Sequence, residues 1–184
     1  MAEGETIAVG DVLAVPLTRN LDHSYFELLD TDVAEVHHWP PEQFRFLRRT
    51  LGANDRIRSS YTRNLAVLVL ADSPEKVIGF VSVAKEHPDI PGEHFIGVHL
   101  LAEYRRQGIM SELLPLVFSR LTNAEFDDVV IATSKDNAAM NGLAKKLRLK
   151  HTNVDHTHPD GSREKAKYYR VVTSKFAAKG PNRC

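Results

Sequence analysis

The segment that most limits what this chain can fold into runs from His94 to Leu114. A strand-like apolar stretch, His94 to Leu101, enters the polar turn Glu103-Tyr104-Arg105-Arg106-Gln107-Gly108-Ile109-Met110. The turn opens directly into a helix with Leu113, Leu114, Val117 and Leu121 on one face. A helix N-terminus exposes about four unpaired N–H groups and carries roughly half a positive charge. Glycine at that point lets the backbone approach a phosphate closely. Arg105 and Arg106 add long-range attraction and paired donors. The segment reads as an anion site mounted on a strand–turn–helix unit. The alternative is an ordinary turn with a solvated basic rim. Neither a Walker A sequence nor G-x-G-x-x-G is present, so nucleoside triphosphates and dinucleotides lose support.

Around this unit strands and helices alternate. Val12 to Leu17 reads as a strand and Asp22 to Leu29 as a short helix. Pro40-Pro41 opens a helical stretch, Glu42 to Leu51, with Phe44, Leu47 and Leu51 three and four apart. Leu65 to Ala71 and Val77 to Ala84 are hairpin partners turned by Asp72-Ser73-Pro74-Glu75. In the helix after Gly108, Pro115 is expected to kink it or restrict it to its first turns. Val129 to Thr133 is a strand of buried type, and Ala138 to Leu149 a helix with Met140, Leu143, Ala144 and Leu147 inward. His151 to His158, the turn Pro159-Asp160-Gly161-Ser162 and Lys167 to Val172 close the chain as a hairpin. The expected fold is α/β (α+β): a mixed, mostly antiparallel sheet of about seven strands with helices on both faces. Residues 7–176 are expected to form one domain, with loose ends at 1–6 and 177–184.

Lys+Arg and Asp+Glu number 24 each, so the chain has no global drive toward nucleic acid or anionic membranes. Its longest apolar run, Leu65 to Ala71, is far too short to span a bilayer. The one cysteine, Cys184, permits no internal disulfide and no thiolate cage, and fits a reducing, cytoplasmic setting. Met1 to Gly10 lacks the pattern of a signal peptide. Nine histidines, among them His37, His38, His156 and His158, invite a metal reading. No H-E-x-x-H or C-x-x-C accompanies them, and zinc needs three or four ligands, so no metal site is expected.

The stretch IGVHLLAEYRRQGIMSELL resembles motif A of the GNAT acetyltransferases, in which [RQ]-x-x-G-x-[GA] cradles the pyrophosphate of acetyl-CoA. Arg105 and Gly108 match, and Met110 stands where a small residue is usual. The resemblance implies that Arg106, Gln107, Gly108, Ile109 and Met110 line the phosphates. It also implies that backbone groups near Leu100 and Leu101 pair with the pantetheine arm as an added strand. KDNAAMNGLAKKLRL resembles motif B, with Asn137, Leu143, Lys146 and Leu147 matching. On that likeness Asn137 lies beside the cofactor, and Lys145 or Lys146 near its 3′-phosphate. The bland reading of Lys145, Lys146, Arg148 and Lys150 is a solvated helix face. PLTRNLDHSYFELLDTDVAEVHHW is similar to the opening of Rim-type members, which acetylate α-amino groups of proteins and, in relatives, polyamines or antibiotics. VIGFVSV is typical of the family's third strand, and the likeness covers roughly residues 12 to 172.

The implied function is transfer of an acetyl group from acetyl-CoA to a primary amine of a small molecule or a protein N-terminus. Two alternatives stay open: a toxin-like member acting on aminoacyl-tRNA, and a non-catalytic acyl-CoA-binding protein. The second is motivated by Ala144 and Met140, which replace the tyrosine and serine found in many members, and by Arg148-Leu149 in place of Gly-Phe. For the base that deprotonates the amine, counting eleven positions back from Arg105, as in histone-acetylating members, reaches His94, with Glu93 beside it. His99 is the other candidate, nearer the thioester. An unperturbed histidine pKa of about 6.5 suits the task. Trp39 reads as a packing anchor or, as in this region of the family, a wall of the acceptor site. A homodimer is left open.

Overall fold

The computed structural model describes residues 6–33, 41–52, 65–84, 94–123, 126, 128–157 and 163–177. Trp39, His37, His38, Glu93, His158 and the expected turn at 159–162 lie outside them. In chain order the elements are β1 (Ile7–Val9), β2 (Val12–Pro16), α1 (Asp22–Leu28), α2 (Pro41–Leu51), β3 (Leu65–Leu70), β4 (Ser73–Ala84), β5 (His94–Leu100), α3 (Ile109–Asn123), β6 (Asp128–Ser134), α4 (Ala138–Lys146), β7 (Lys150–Thr157) and β8 (Arg163–Val172).

The strands form one sheet in the order β1-β2-β3-β4-β5-β6-β8-β7. Every neighbouring pair is antiparallel except β5–β6. The mixed α/β class holds, with eight strands rather than seven. The addition is β1, whose Ile7 and Val9 are buried against the core while Ala8 points out. Three residues carry too little periodicity to announce a strand.

Each face of the sheet has its own core. On one, Ile78, Val81, Ile96, Leu100, Val129 and Ile131 pack against Leu113, Leu114, Val117, Phe118 and Leu121 of α3 and Met140 and Ala144 of α4. On the other, Val67, Val69, Val77 and Phe80 pack against Tyr25 and Phe26 of α1 and Leu47 and Leu51 of α2. The period of two along each strand sorts the residues between these faces.

Three local expectations are corrected. The β3–β4 turn is only Ala71-Asp72, and β4 begins at Ser73, because irregular register around Val69 absorbs the residues assigned to the turn. Of the two outcomes expected of Pro115, confinement of the helix to its first turns is not seen: α3 continues to Asn123. Proline inside a helix costs about 3 kcal/mol. Burial of a large apolar side chain returns about 1.5–3 kcal/mol, and Val117, Phe118 and Leu121, all beyond Pro115, are each at most 1% exposed. Packing wins. The fourth helix expected from the sequence, Ala138 to Leu149, ends at Lys146.

That last boundary has a visible cause. Arg148 adopts φ 56°, while the Leu149 N–H donates to the Ala144 carbonyl at 2.9 Å and the Arg148 N–H to the Lys145 carbonyl at 3.1 Å. This left-handed termination is normally glycine's. Arg148 pays a steric cost there of about 1–2 kcal/mol, part of which glycine forfeits through its freer unfolded chain. Arg148→Gly should therefore raise the unfolding free energy by about 0.5–1 kcal/mol, measured as a higher urea midpoint at unchanged slope.

Candidate active site

The site grows out of the parallel pair. β5 and β6 are in register at His94↔Val129 and Phe95↔Val130 and at no later position. Beyond Phe95 the two strands part. On its other side β5 stays paired with β4 along its length, from Ala84↔Phe95 to Gly79↔Leu100, and the Leu101 N–H donates to the Ile78 carbonyl at 2.8 Å. In an antiparallel ladder alternate residues turn their backbone groups to the same neighbour. Leu101 faces β4, so the groups of Ile96, Val98 and Leu100 face the opening toward β6.

This corrects one expectation. The Leu101 N–H is committed inside the sheet, and its carbonyl accepts from the Tyr104 N–H at 3.0 Å. Leu101 is thus unsuited to pairing an added strand. Leu100 is suited, although its carbonyl already accepts from Nε of Arg105 at 2.6 Å. Arg105 therefore folds back over the end of its own strand and fixes the start of the turn.

From there the backbone is held by its own atoms. Gln107 Nε2 donates to the Glu103 carbonyl at 2.9 Å. The Glu103 carboxylate accepts from Lys76 Nζ at 3.3 Å and holds that ammonium above its usual range. Arg106 and Gly108 have positive φ, 64° and 87°. Alternating left-handed residues turn successive N–H groups toward one point and make an anion-binding concavity. Among the described residues the N–H groups of Arg106, Gln107, Gly108, Ile109 and Met110 have no backbone acceptor. The Gly108 carbonyl takes the Ser111 and Glu112 N–H groups and the Ser111 hydroxyl, which starts α3. Met110 stands where a small residue is usual, yet its side chain packs against the core under α3, which leaves its N–H to the turn.

The two helices meet at this point. Lys146, near the end of α4, donates through Nζ to Ser111 Oγ at 2.9 Å. Its ammonium sits one residue from the turn. Lys145 is exposed. Asn137 caps α4 by accepting the Met140 N–H at 3.0 Å, so its carbonyl oxygen has a structural task. Ser111 escaped the sequence reading; a hydroxyl in the first turn of the motif A helix was the available signal.

Of the base candidates, Glu93 lies outside the described residues, and His94 and His99 separate by face. His94 meets Phe126 edge-on at 4.7 Å, and Phe126 packs on the α3 core. His99 is five residues on, hence on the opposite face, only 5% exposed and stacked on Phe80 at 5.8 Å. The same face carries Phe95, buried against Tyr168, and between them Gly97, which is exposed. Gly97 lies opposite Ser82 of β4. A shallow notch results, floored by Gly97 and Ser82 and flanked by Phe95 and His99. Neither Gly97 nor Ser82 was picked out from the sequence. A glycine inside an apolar strand was the missed signal.

A polar brace backs the opening from the other side. Tyr169 of β8 lies opposite Ile131, and its hydroxyl donates to Asn141 Oδ1 of α4 at 2.6 Å. Asn141 Nδ2 donates to the Lys135 carbonyl at 2.8 Å. Burial pushes the Tyr169 phenol up, so it stays protonated as the donor. Among the described residues no three His, Cys, Asp or Glu side chains cluster as a metal site, and no helix is long and apolar enough to cross a membrane.

Two glycines report on this geometry. A Cβ at Gly79 would lie 2.4 Å from the His99 carbonyl oxygen, whereas one at Gly97 would meet chiefly the movable Ser82 hydroxyl at 2.8 Å. Overpacking against backbone costs about 1–3 kcal/mol or more. In chemical unfolding, Gly79→Ala should lose more than about 2 kcal/mol and Gly97→Ala less than about 1 kcal/mol.

The comparisons with known proteins agree with the geometry. A family profile described as "Acetyltransferase (GNAT) domain" matches residues 12–150. No curated protein matches the sequence significantly. Among solved structures, the ribosomal-protein-S5-alanine acetyltransferase of Vibrio fischeri superimposes with TM-score 0.71 at 14% identity, over 95% of this chain and 100% of that one. The spermidine N-acetyltransferase of Vibrio cholerae, solved with CoA and spermine, gives 0.70 at 13% identity, over 91% and 99%. The microcin C7 self-immunity acetyltransferase MccE, solved with acetyl-CoA and AMP, gives 0.64 at 14%, over 89% and 93%. The profile spans most of the chain, including the parted strands and the turn, and on that ground the chain belongs to the GNAT acetyltransferase family, with a fold shared by its Rim-type members.

Proposed function

We propose that the chain transfers an acetyl group from acetyl-CoA to a primary amine, of a small molecule or a protein N-terminus, by direct attack with both substrates bound. The observation that carries the reading is the open edge of β5, followed after the short turn 101–105 by five N–H groups with no backbone acceptor at the Gly108 turn. A ligand with an anionic end and an extended amide-bearing arm matches that surface, as acetyl-CoA does. The relatives solved with CoA or acetyl-CoA support the choice.

In this reading the N–H groups of residues 106–110 hold the pyrophosphate, and Lys146 adds positive charge beside Ser111. Arg105 positions the turn through Leu100. The pantetheine arm pairs with Leu100 and places the thioester near Val98. The Val98 N–H, facing the opening, then donates to the thioester oxygen as negative charge develops there. The amine enters from the opposite face, over Gly97. Its nitrogen attacks the acyl carbon, the carbon–sulfur bond breaks, and CoA leaves as a thiolate that takes up the proton the new amide nitrogen loses. Holding both reactants at one strand supplies much of the acceleration.

We assign the base to His99, which borders the notch, in preference to His94, whose ring is turned to Phe126 on the cofactor's face. The imidazole accepts the ammonium proton of the incoming amine. Below its pKa it is already protonated, so the rate falls as pH drops. His99→Gln should lower kcat by about 10²–10⁴-fold and flatten the acidic limb of the profile, with acetyl-CoA affinity held. A comparable effect from His94→Gln, with none from His99→Gln, would reverse the assignment.

The donor site has its own test. Gly108→Asp sets a carboxylate at the anion turn and forces a side chain into φ 87°. Calorimetry should show acetyl-CoA affinity falling by more than about 2 kcal/mol, the scale of a like-charge clash at a desolvated site. Unchanged affinity in a folded variant would remove the turn from the donor site.

A further inference from the structure

The transfer reading leaves the acceptor class open, and the outer surface of α2 bears on it. Leu47 and Leu51 root this helix in the core beneath it. Arg48, on one flank, is committed by an ion pair with Asp30, just past the end of α1, and by lying over the Phe26 ring of α1 at 4.4 Å. The remaining surface is different. Phe46 is 66% exposed, the most exposed large apolar side chain among the described residues. Arg45 and Arg49 are exposed one turn apart, and neither has an ion pair among the described residues. Like charges at that spacing weaken a helix. An apolar ring beside two adjacent guanidinium groups is the composition of a binding hot spot.

This patch and the notch share one sheet face. Leu47 and Leu51 pack in the same core as Phe80, and Phe80 stacks on His99. The patch nevertheless lies on the outside of a helix about 10 Å across. A small amine seated over Gly97 does not extend that far. A polypeptide does, at about 3.3 Å per residue. We propose that the acceptor is a protein N-terminus followed by an acidic stretch, which docks on α2 with Phe46 as apolar anchor and Arg45 and Arg49 as carboxylate partners. Guanidinium groups favour carboxylates through paired hydrogen bonds. The chain's equal numbers of basic and acidic residues, 24 each, supply no long-range field for a polyanion such as RNA.

The test uses two labelled peptides with an N-terminal alanine, one carrying glutamates from its fourth residue on and the other glutamines. Anisotropy with CoA present should show the acidic peptide binding at least about tenfold tighter, the scale of one strong interfacial contact. Arg45→Glu with Arg49→Glu should abolish that preference, and Phe46→Ala should weaken both peptides. For acetyl transfer, the charge-reversed protein should show a raised KM for the acidic peptide, an unchanged kcat, and unchanged turnover of a small primary amine. Equal binding of the two peptides to the unaltered protein, or an undiminished preference after charge reversal, overturns the proposal. So does tRNA binding that depends on the patch when peptide binding does not. If the acidic peptide binds selectively but no amine is acetylated, docking stands and the transfer reading fails.

Discussion

The structure depends on one interruption: two parallel strands that pair at Phe95↔Val130 and then part. Elsewhere inside the sheet the described strands pair along most of their lengths. Buried backbone donors without partners are costly. An open strand edge inside a fold is therefore stable only where solvent or ligand reaches it. β4 makes the opening tolerable. It holds β5 along its whole length on the other side, so the strand stays straight without β6. A Cβ at Gly79 would lie 2.4 Å from the His99 carbonyl oxygen, so glycine lets those two strands lie as close as they do.

The turn after β5 extends the same logic. Its shape comes from bonds made away from the ligand side: Arg105 to Leu100, Gln107 to Glu103, Lys76 to Glu103. These contacts consume side chains and carbonyl oxygens and leave the N–H groups uncommitted. A preorganised donor array of this kind needs no rearrangement when charge arrives. Two of the residues that look like phosphate ligands in the sequence, Arg105 and Gln107, thus work first on the backbone. Lys146 reaches the turn from another helix, by way of Ser111.

What the sequence made legible follows from periodicity and local chemistry. The long apolar strands, the alternation of elements and the Gly108 turn are short-range signals, and they placed the sheet and the turn at which the donor site is proposed. β1 escaped because three residues carry no period. The end of α4 escaped because the left-handed position expected of glycine holds Arg148. The ambiguity between His94 and His99 could not be resolved by counting from Arg105. Their five-residue spacing puts them on opposite faces, but what each face meets is set by packing against Phe126 and Phe80, remote in sequence. The Gly97–Ser82 notch is likewise a cross-strand property. Trp39 and Glu93 lie outside the described residues.

One consequence of the alternation along β5 concerns how such a protein diverges. Ile96, Val98 and Leu100 serve the side facing α3, whereas Phe95, Gly97 and His99 serve the other. In the proposed reading, donor chemistry and acceptor choice fall on interleaved positions of a single strand. Point substitutions can retune either register alone. A one-residue insertion or deletion between His94 and Arg105 would exchange the two and ruin both at once. Composition along this segment is thus freer to change than its length, and the fold itself is shared with structures only 13–16% identical to this chain.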